Sequence, residues 1–341
     1  MVEAMKYTTP NGEGSINRPD AVDIDTMAIR PSREYEVCNG LLDDFDALNA
    51  FYEKNGYLFF RDVLDPDSVV EARDAMLAIA ADDFGLIDKG DVEAKWTGKP
   101  TIRGQEELPC FAGISQRLIN YPKNQELLTK ILGDKPAMVP VVQYRLYPPQ
   151  TAVTPVHQDG FFSPGIQDYR PLWIPLTPCP REVGGLTIAV GHNNKGWLHN
   201  LARETPWPIP DDEIDPDSWA TADFEPGDLL VVHPYAPHAS MPNMSDRLRV
   251  TFDTRVQSAK NPTTFMAKVD SALQDSVTVT SPDPAVGQVT LSLDRDSFVR
   301  TRHPGKREAF EDYADAIQPG QQLVVTRVGD RAAMLRIGSN P

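Results

Sequence analysis

The sequence predicts a mainly β protein with flanking helices, built on a double-stranded β-helix, or jelly-roll, core. Between about residues 137 and 257, short apolar runs of strand length alternate with Pro and Gly turn signals, as in β-sandwiches and barrels. The clearest helix signals precede this region, where helices would cover one face of a sheet. The predicted core strands are 138–146, 152–156, 172–176, 186–190, 229–232 and 248–256.

Helix-start and helix-stop residues place the elements before residue 137. Asp65 followed by Pro66 is a typical helix start, because the Asp side chain caps free N–H groups and Pro suits the first helical position. That helix should end before Gly85. The other predicted elements here are a helix 41–52, a buried strand 57–60 and a helix 123–132.

The chain divides into three predicted parts. Residues 1–36 lack a sustained period and predict an extended arm, whereas 37–257 form the helix-buttressed jelly-roll domain. Within that domain, 197–225 is rich in Pro and Asp and predicts a long insertion. Residues 258–341 predict a β-rich extension or small appended domain that can serve as an oligomer contact. Its predicted elements are strands 276–280, 288–293 and 322–328 and a helix 307–317.

Composition limits the partners and the setting. The net charge of −16 argues against nucleic acid or an anionic membrane surface as partner. No apolar run approaches the ~20 residues that span a bilayer, and the start lacks a secretory signal, so a cytoplasmic setting is expected. Three cysteines without C-x-x-C spacing predict neither a disulfide framework nor a zinc site.

The sequence His157-Gln158-Asp159 is the strongest candidate for a metal site. On a β-strand, positions two apart project from the same face, so His157 and Asp159 would share one side. A second imidazole follows the strand 229–232, where His233 and His238 both occur. Two imidazoles and one carboxylate form the facial triad of non-haem Fe(II) oxygenases, with positions left open for a cosubstrate and dioxygen.

Arginines on the next predicted strand fit a cosubstrate that carries a carboxylate. Arg supplies a planar fork that binds a carboxylate through two hydrogen bonds, which Lys does not. Arg247 and Arg249 lie two positions apart, so strand spacing alone leaves both as candidates.

These motifs resemble the phytanoyl-CoA dioxygenase-like group of Fe(II)/2-oxoglutarate-dependent oxygenases. After its His-x-Asp, that group has a Glu-Asn-Gly-Gly-Leu-type segment, then His-Gly-Ser-x-x-Asn-x-Ser, then Arg. Here Val183 replaces the usual Asn, and 190–193 differ from the common Pro-Gly-Ser-His. The resemblance runs from roughly residue 41 to 257. The matching residues are Glu182, Gly184, Gly185, Leu186, His238, Ser240, Asn243, Ser245 and Arg249.

The resemblance implies a set of site residues and cofactors. It selects His238 over His233 as the second imidazole, and it implies Fe(II) with 2-oxoglutarate and dioxygen as cosubstrates. Its residues here would be the iron ligands His157, Asp159 and His238, the distal-carboxylate pair Arg249 and Ser240, and a further cosubstrate contact, Gln143.

The expected reaction is hydrogen abstraction from a small molecule, with hydroxylation as the usual outcome because Asp159 fills the third ligand position. Desaturation, epimerisation and ring formation use the same triad. A secondary metabolite is favoured over an acyl-CoA ester, since no basic cluster near the site segments would meet the CoA phosphates. Four aromatic residues that follow the first ligands are candidates for the substrate pocket: Phe161, Phe162, Tyr169 and Trp173.

Two other classes of function remain as alternatives. One is a non-catalytic jelly-roll binding protein, which would not need the full ligand set. The other is a metal-dependent hydrolase or isomerase that uses the same His, Asp and His residues. Neither His-Glu-x-x-His nor Gly-x-Ser-x-Gly occurs in the sequence.

Overall fold

The computed structural model describes residues 29–100, 109–149, 154–162, 169–199, 209–294, 296–301, 307–309 and 317–337. Several predicted features therefore lie partly outside the described residues. These are the first 28 residues of the arm, part of the strand 152–156, the segment 200–208 of the insertion and most of the helix 307–317.

Five α-helices occur in the described ranges, and three of them lie where the sequence predicts a helix. The Asp65 side chain accepts hydrogen bonds from the N–H groups of Asp67 and Ser68, which caps α2 as predicted. A π-helical turn, 79–83, continues α2 as far as the left-handed Gly85. The helix predicted at 41–52 starts later, because the Asp44 side chain caps it. The helices are α1 (Phe45–Asn55), α2 (Pro66–Ala78), α3 (Ile114–Ile119), α4 (Pro122–Leu132) and α5 (Asp159–Phe162).

The larger sheet of the core collects most of the predicted strands. Its order is β2-β8-β5-β10-β3, and β4 also pairs with β10. The single strand predicted at 138–146 is in fact two, β3 and β4, which pair with different parts of β10. The bounds are β2 (Tyr57–Phe60), β3 (Pro136–Met138), β4 (Gln143–Tyr147), β5 (Arg170–Pro175), β8 (Leu229–Val232) and β10 (Arg249–Ser258).

The smaller sheet has the order β1-β7-β6-β9 and corrects two predictions. The end of the predicted arm forms β1, which pairs in parallel with β7. The segment 197–225 is not wholly an excursion, because it contains β7 and the buried Ile209, Ile214 and Trp219, which pack in one apolar cluster. The bounds are β1 (Arg33–Glu34), β6 (Leu186–Ala189), β7 (Trp219–Thr221) and β9 (His238–Ser240).

Alternation along the strands separates the interior of the jelly roll from its helical cover. On β8, Leu229 and Val231 pack in the cluster that includes the helices, whereas Leu230 and Val232 pack in the cluster shared with β6 and β7. A strand buried on both faces has this composition. The two sheets thus face each other across one interior, and the helices cover the outer face of the larger sheet, as predicted.

Strand β10 lies in the middle of the larger sheet and carries apolar residues on one face and charged residues on the other. Phe252 is fully buried beside Tyr144 on the helix-covered face. Arg249, Asp253 and Arg255 have the opposite parity and line the interior. One strand therefore links the apolar core to the polar groups of the cavity.

A third sheet follows β10 and has its own apolar cluster. Its order is β13-β12-β11-β16-β17-β14-β15. The strands predicted near 276, 288 and 322 are present, whereas 307–309 is a strand rather than the predicted helix. The bounds are β11 (Thr264–Ala272), β12 (Ser276–Thr280), β13 (Gln288–Ser292), β14 (Phe298–Thr301), β15 (Arg307–Ala309), β16 (Gln322–Val328) and β17 (Arg331–Ile337). Among the described helices, none is long and apolar enough to cross a membrane.

Replacing Phe252 tests how much its burial under the helices contributes to the stability of the protein. Phe252→Ala leaves a cavity under the strand and should lower the free energy of unfolding by ~3–5 kcal/mol. Val70, which is 42% exposed on α2, provides the control, since Val70→Ala should change it by less than ~0.5 kcal/mol. Urea unfolding followed by fluorescence measures both, and equal small changes would contradict the assigned burial.

Candidate active site

The two candidate imidazole ligands are joined through their own backbones. The N–H of His157 donates to the carbonyl of His238 at 3.0 Å, and the N–H of His238 donates to the carbonyl of His157 at 2.9 Å. This isolated antiparallel bridge sets their ring centroids 4.2 Å apart. His238 belongs to β9, so the smaller sheet fixes the position of both rings.

Asp159 reaches the site through a turn, and the prediction that it shares a strand with His157 is wrong. The ladder is limited to the bridge at His157, and α5 begins at Asp159. The N–H of Gly160 donates to the carbonyl of Pro234 at 2.8 Å, which holds this turn beside the segment that leads to His238. A Cβ on Gly160 would lie 3.2 Å from that same carbonyl oxygen, so the close approach favours glycine.

The three side chains converge on one point. Oδ1 of Asp159 lies 3.5 Å from Nε2 of His157 and 3.8 Å from Nε2 of His238. One ligand atom from each of the three residues lies within 4.8 Å of the others. All three side chains are at most 13% exposed. In the part of the chain that the structure describes, this is the group of His, Cys and acidic residues that can hold a metal ion.

Both imidazoles present the nitrogen that a metal requires. Nδ1 of His157 lies 2.8 Å from the carbonyl of Pro155, and Nδ1 of His238 lies 3.0 Å from the carbonyl of Ala236. Because a carbonyl only accepts hydrogen bonds, each Nδ1 carries the proton. Each Nε2 therefore directs a lone pair toward the other ligands, the arrangement found behind metal-bound histidines.

The surroundings of Asp159 and His238 hold both side chains in the protonation states that bind a metal. Burial alone would raise the pKa of Asp159, but the guanidinium of Arg255 and the imidazole of His157 outweigh it and hold that pKa far below its ordinary range. Burial, and then the neighbouring His157, lower the pKa of His238 from 6.5 to about 4. At neutral pH the site thus offers a charged carboxylate and a neutral imidazole from these residues.

Gln158 points away from the ligands and ties their turn to two other segments. Its side chain is fully buried, and its amide donates to the carbonyls of Gly196 at 2.8 Å and Tyr235 at 2.7 Å. Its side-chain oxygen Oε1 accepts a hydrogen bond from the N–H of Leu198 at 3.0 Å. Its own backbone N–H donates to Nε2 of His199 at 3.1 Å.

The two histidines of the loop after β6, His192 and His199, are buried although the sequence around them is rich in Asn. His199 is 4% exposed and stacks on Phe161 with 3.9 Å between ring centroids. His192 is 5% exposed, and its Nε2 accepts from the N–H of Asp215 at 3.2 Å. Hydrogen bonds from backbone N–H groups that are distant in sequence satisfy these rings. The local amino-acid composition does not reveal such partners.

Arg249 is a buried cation directed at neutral partners. It is 2% exposed, donates to the carbonyl of Gly184 and to Oγ of Ser240 at 3.3 Å, and lies 4.3 Å from the centroid of the Tyr147 ring. Its Nε is buried without a hydrogen-bond partner. Of the acidic side chains that the structure describes, none pairs with it, so the guanidinium is available to a carboxylate ligand beside the metal group.

Two residues that compete in sequence for these roles lie elsewhere. Arg247 is 41% exposed in its side chain and pairs with Glu93 at 3.5 Å, outside the cavity. The regular strand begins only at Arg249, so the assumed alternation does not extend back to Arg247. His233 lies outside the metal group, with its Nε2 3.6 Å from Glu53.

The three candidate ligands line one cavity together with Arg249 and Ser240. Gln143 also lines it, and its Oε1 accepts from the guanidinium of Arg145. The remaining lining residues are Arg145, Thr154, Pro171, Leu172, Trp173, Leu186, Val232, Asp253, Thr254 and Arg255.

The four predicted pocket aromatics take different positions. Trp173 lines the metal cavity, but Tyr169 lines a second cavity and packs on Val139. Phe161 is buried against His199 and is not among the lining residues. The side chain of Phe162 lies outside the described part. Because α5 turns the chain away after Asp159, proximity in sequence does not carry these rings into the cavity.

Sequence reasoning missed three charged residues of the cavity. Arg145 donates to Asp253 at 2.9 Å, and Arg255 lies 3.3 Å from Oδ2 of Asp159. A signal was present, since Asp253 and Arg255 continue the two-residue spacing that starts at Arg249.

The donor set fits iron, and the cavity fits its cosubstrate. Two neutral imidazole nitrogens and one carboxylate oxygen on one side of an open space are the ligands of the Fe(II) facial triad. The buried Arg249 beside them suits the distal carboxylate of 2-oxoglutarate. A jelly roll with this interior defines a 2-oxoglutarate-dependent non-haem iron oxygenase, with Fe(II) as cofactor and 2-oxoglutarate and dioxygen as cosubstrates.

Comparison with known proteins gives the family. Residues 52–251 match the phytanoyl-CoA dioxygenase (PhyH) family. Two relatives named 1-deoxypentalenic acid 11-beta-hydroxylase are 33% identical (Streptomyces arenae) and 30% identical (Streptomyces exfoliatus), each over 69% of this chain and 88% of the relative. The chain belongs to the phytanoyl-CoA dioxygenase family.

Solved structures are also similar to this chain. The epimerase SnoN in complex with Fe3+, alpha ketoglutarate and nogalamycin RO is 19% identical, with a TM-score of 0.48 over 64% of this chain and 85% of that one. EvdO2 from Micromonospora carbonacea var. aurantiaca, complexed with 2-oxoglutarate, is 20% identical, with a TM-score of 0.45 over 62% of this chain and 90% of that one.

Arg249 and Arg247 provide a matched pair of substitutions. Arg249→Ala removes a buried charge from the cavity and should weaken 2-oxoglutarate binding by ~100-fold, whereas Arg247→Ala should leave it nearly unchanged. Anaerobic titration of the Fe(II) protein with 2-oxoglutarate measures both. Equal effects would show that Arg249 does not meet the cosubstrate.

Gly184 tests how Arg249 is held. Gly184 has a φ of +80°, and an added Cβ would collide with the carbonyl oxygens of Met241 and Pro242. Gly184→Ala should lower the free energy of unfolding by ~2 kcal/mol or more and should also weaken 2-oxoglutarate binding. Gly40 has open space at its Cβ position, so Gly40→Ala is the control. Unchanged stability of Gly184→Ala would contradict this contact.

Proposed function

We propose that this protein hydroxylates a carbon of a small, largely apolar secondary metabolite, with conversion of 2-oxoglutarate and dioxygen to succinate and CO2. The observation that carries the proposal is the convergence of His157, Asp159 and His238 in a cavity that also contains the unpaired Arg249. Iron held by these ligands supplies the oxidation of the substrate when both cosubstrates are present.

The chain's own residues bind and orient the cosubstrate. Arg249 and Ser240 offer hydrogen-bond donors to a carboxylate on the side of the cavity formed by β9 and β10. Their hydrogen bond to each other, at 3.3 Å, holds both donors in place before a ligand arrives. Gln143 is a further polar contact, and its amide oxygen is already oriented by Arg145.

The apolar part of the lining supports an apolar substrate. Trp173, Leu186 and Val232 lie on strands from both sheets, and Pro171 and Leu172 extend this surface. Such walls exclude water from the reacting carbon and contribute binding through burial of apolar area. The charged groups that line the same cavity are partly neutralised, since Arg145 pairs with Asp253 and Arg255 pairs with Asp159.

The same lining argues against an acyl-CoA substrate, despite the family's name. Of the described residues that line the cavity, Arg145, Arg249 and Arg255 are the cations, and two of them already pair with carboxylates. The relatives with the names given above act on 1-deoxypentalenic acid, a carboxylic acid without a CoA group. A free metabolite of that general kind is therefore the substrate class proposed here.

Hydroxylation is proposed over halogenation because Asp159 fills the third ligand position with its own carboxylate. The hydrolase and binding-protein alternatives lose support, since neither function requires the buried Arg249 beside a complete ligand set. A cytoplasmic setting and self-association through residues 258–341 stay predictions.

Spectroscopy without substrate tests the class, and succinate release tests the substrate. Anaerobic Fe(II) and 2-oxoglutarate should give a metal-to-ligand charge-transfer band in the wild type and none in His157→Ala or Asp159→Ala, because each loses a metal ligand. A folded wild-type sample without the band would contradict the oxygenase assignment.

A substrate panel then compares terpenoid carboxylic acids and other secondary metabolites with acyl-CoA esters. We expect succinate release and a product heavier by one oxygen atom with the former group. Turnover with acyl-CoA esters alone would overturn the proposed substrate class and leave the oxygenase class intact.

A further inference from the structure

The two oxygens of Asp159 have different neighbours. Oδ1 faces Nε2 of His157 and Nε2 of His238, at 3.5 and 3.8 Å. Oδ2 lies 3.3 Å from Nη2 of Arg255. One oxygen of this carboxylate thus lies toward the metal position, and the other contacts a protein cation.

Arg255 is held where it meets Asp159. It lies inside β10, where its register partner on β5 is Pro171, and its carbonyl accepts a hydrogen bond from the N–H of Val139 at 2.8 Å. Its side chain is 15% exposed. Both neighbours of β10 thus constrain the backbone at this point, and the surrounding protein encloses most of the side chain.

The C-terminal sheet lies on the other side of the same guanidinium. Arg255 lines the metal cavity and also a second, smaller cavity. The second cavity is bounded on the core side by Val139, Val141 and Tyr169, and on the other side by Thr264, Thr326, Met334 and Arg336 of the third sheet. Arg255 therefore lies between the metal group and residues of the third sheet.

We infer that Arg255 is a positioning residue that restrains Asp159 to bind the metal through one oxygen. Carboxylates coordinate metals through one oxygen or through both. A chelating cosubstrate and dioxygen together require three open positions of an octahedral metal. If Asp159 bound through both oxygens, one of those positions would be lost, and the hydrogen bond from Arg255 to Oδ2 opposes this.

The inference rests on the iron-binding class of the site and not on the identity of the substrate. A purely structural role for Arg255, the neutralisation of a buried carboxylate, makes a different prediction. It would change the stability of the metal-free protein but not the way in which the carboxylate meets the metal. Metal affinity and the charge-transfer spectrum therefore separate the two roles.

The test compares Arg255→Met and Arg255→Lys with the wild type under anaerobic conditions. Arg255→Met removes the donor and the charge, and should weaken Fe(II) binding by ~10-fold or more and displace the charge-transfer band formed with 2-oxoglutarate. Arg255→Lys keeps a cation and should recover Fe(II) affinity, while its different geometry leaves the band displaced. Arg331→Met is the matched control, because Arg331 pairs with Asp294 at the same 3.3 Å on the third sheet.

Three outcomes would overturn the inference. The first is wild-type Fe(II) affinity and an unchanged band in Arg255→Met, whether or not its melting temperature falls. The second is an equal effect of Arg331→Met on affinity and band. If Arg255→Met does not fold, Arg255→Lys decides, and a band identical to that of the wild type overturns the inference. Absence of the band in the wild type would instead mark failure of the proposed function.

Discussion

The pair of backbone hydrogen bonds between His157 and His238 is the constraint on which the site depends. It connects a turn after β4 to β9 and sets two imidazoles side by side before any ion is present. Asp159 reaches them because the chain turns immediately after the bridge. The metal-binding arrangement is thus a property of the backbone, and the Nδ1 hydrogen bonds of both rings complete it.

Strand β10 makes the complementary contribution. Its inner face carries a series of charged residues: Arg249, which we propose to bind the cosubstrate, Asp253, which pairs with Arg145, and Arg255, which pairs with Asp159. Its outer face is apolar and packs under the helices. The distances between these charged residues are therefore set by the rise per residue of a single strand, and a strand is a rigid support for a site.

The sequence was sufficient for the fold class, the positions of most core strands and the starts of α2 and α4, because alternation, caps and turn residues are local signals. It failed where structure depends on distant partners. The apolar run 138–146 breaks into two strands because β10 pairs with each part separately. Trp219 belongs to a strand because β6 and β1 lie beside it. For the site, the motifs predict three metal ligands and Arg249, and the structure brings these side chains to one cavity. Arg145, Asp253 and Arg255 belong to no motif, and Tyr169 lines a different cavity.

The burial of Arg249 makes the stability of the fold depend on the ligand. A guanidinium removed from water, with only neutral partners among the described residues, lowers the stability of the ligand-free fold. A ligand that binds only the folded state stabilises it in proportion to the logarithm of its concentration. The amount of folded enzyme should then follow the supply of 2-oxoglutarate, so that the cosubstrate also stabilises the enzyme that consumes it.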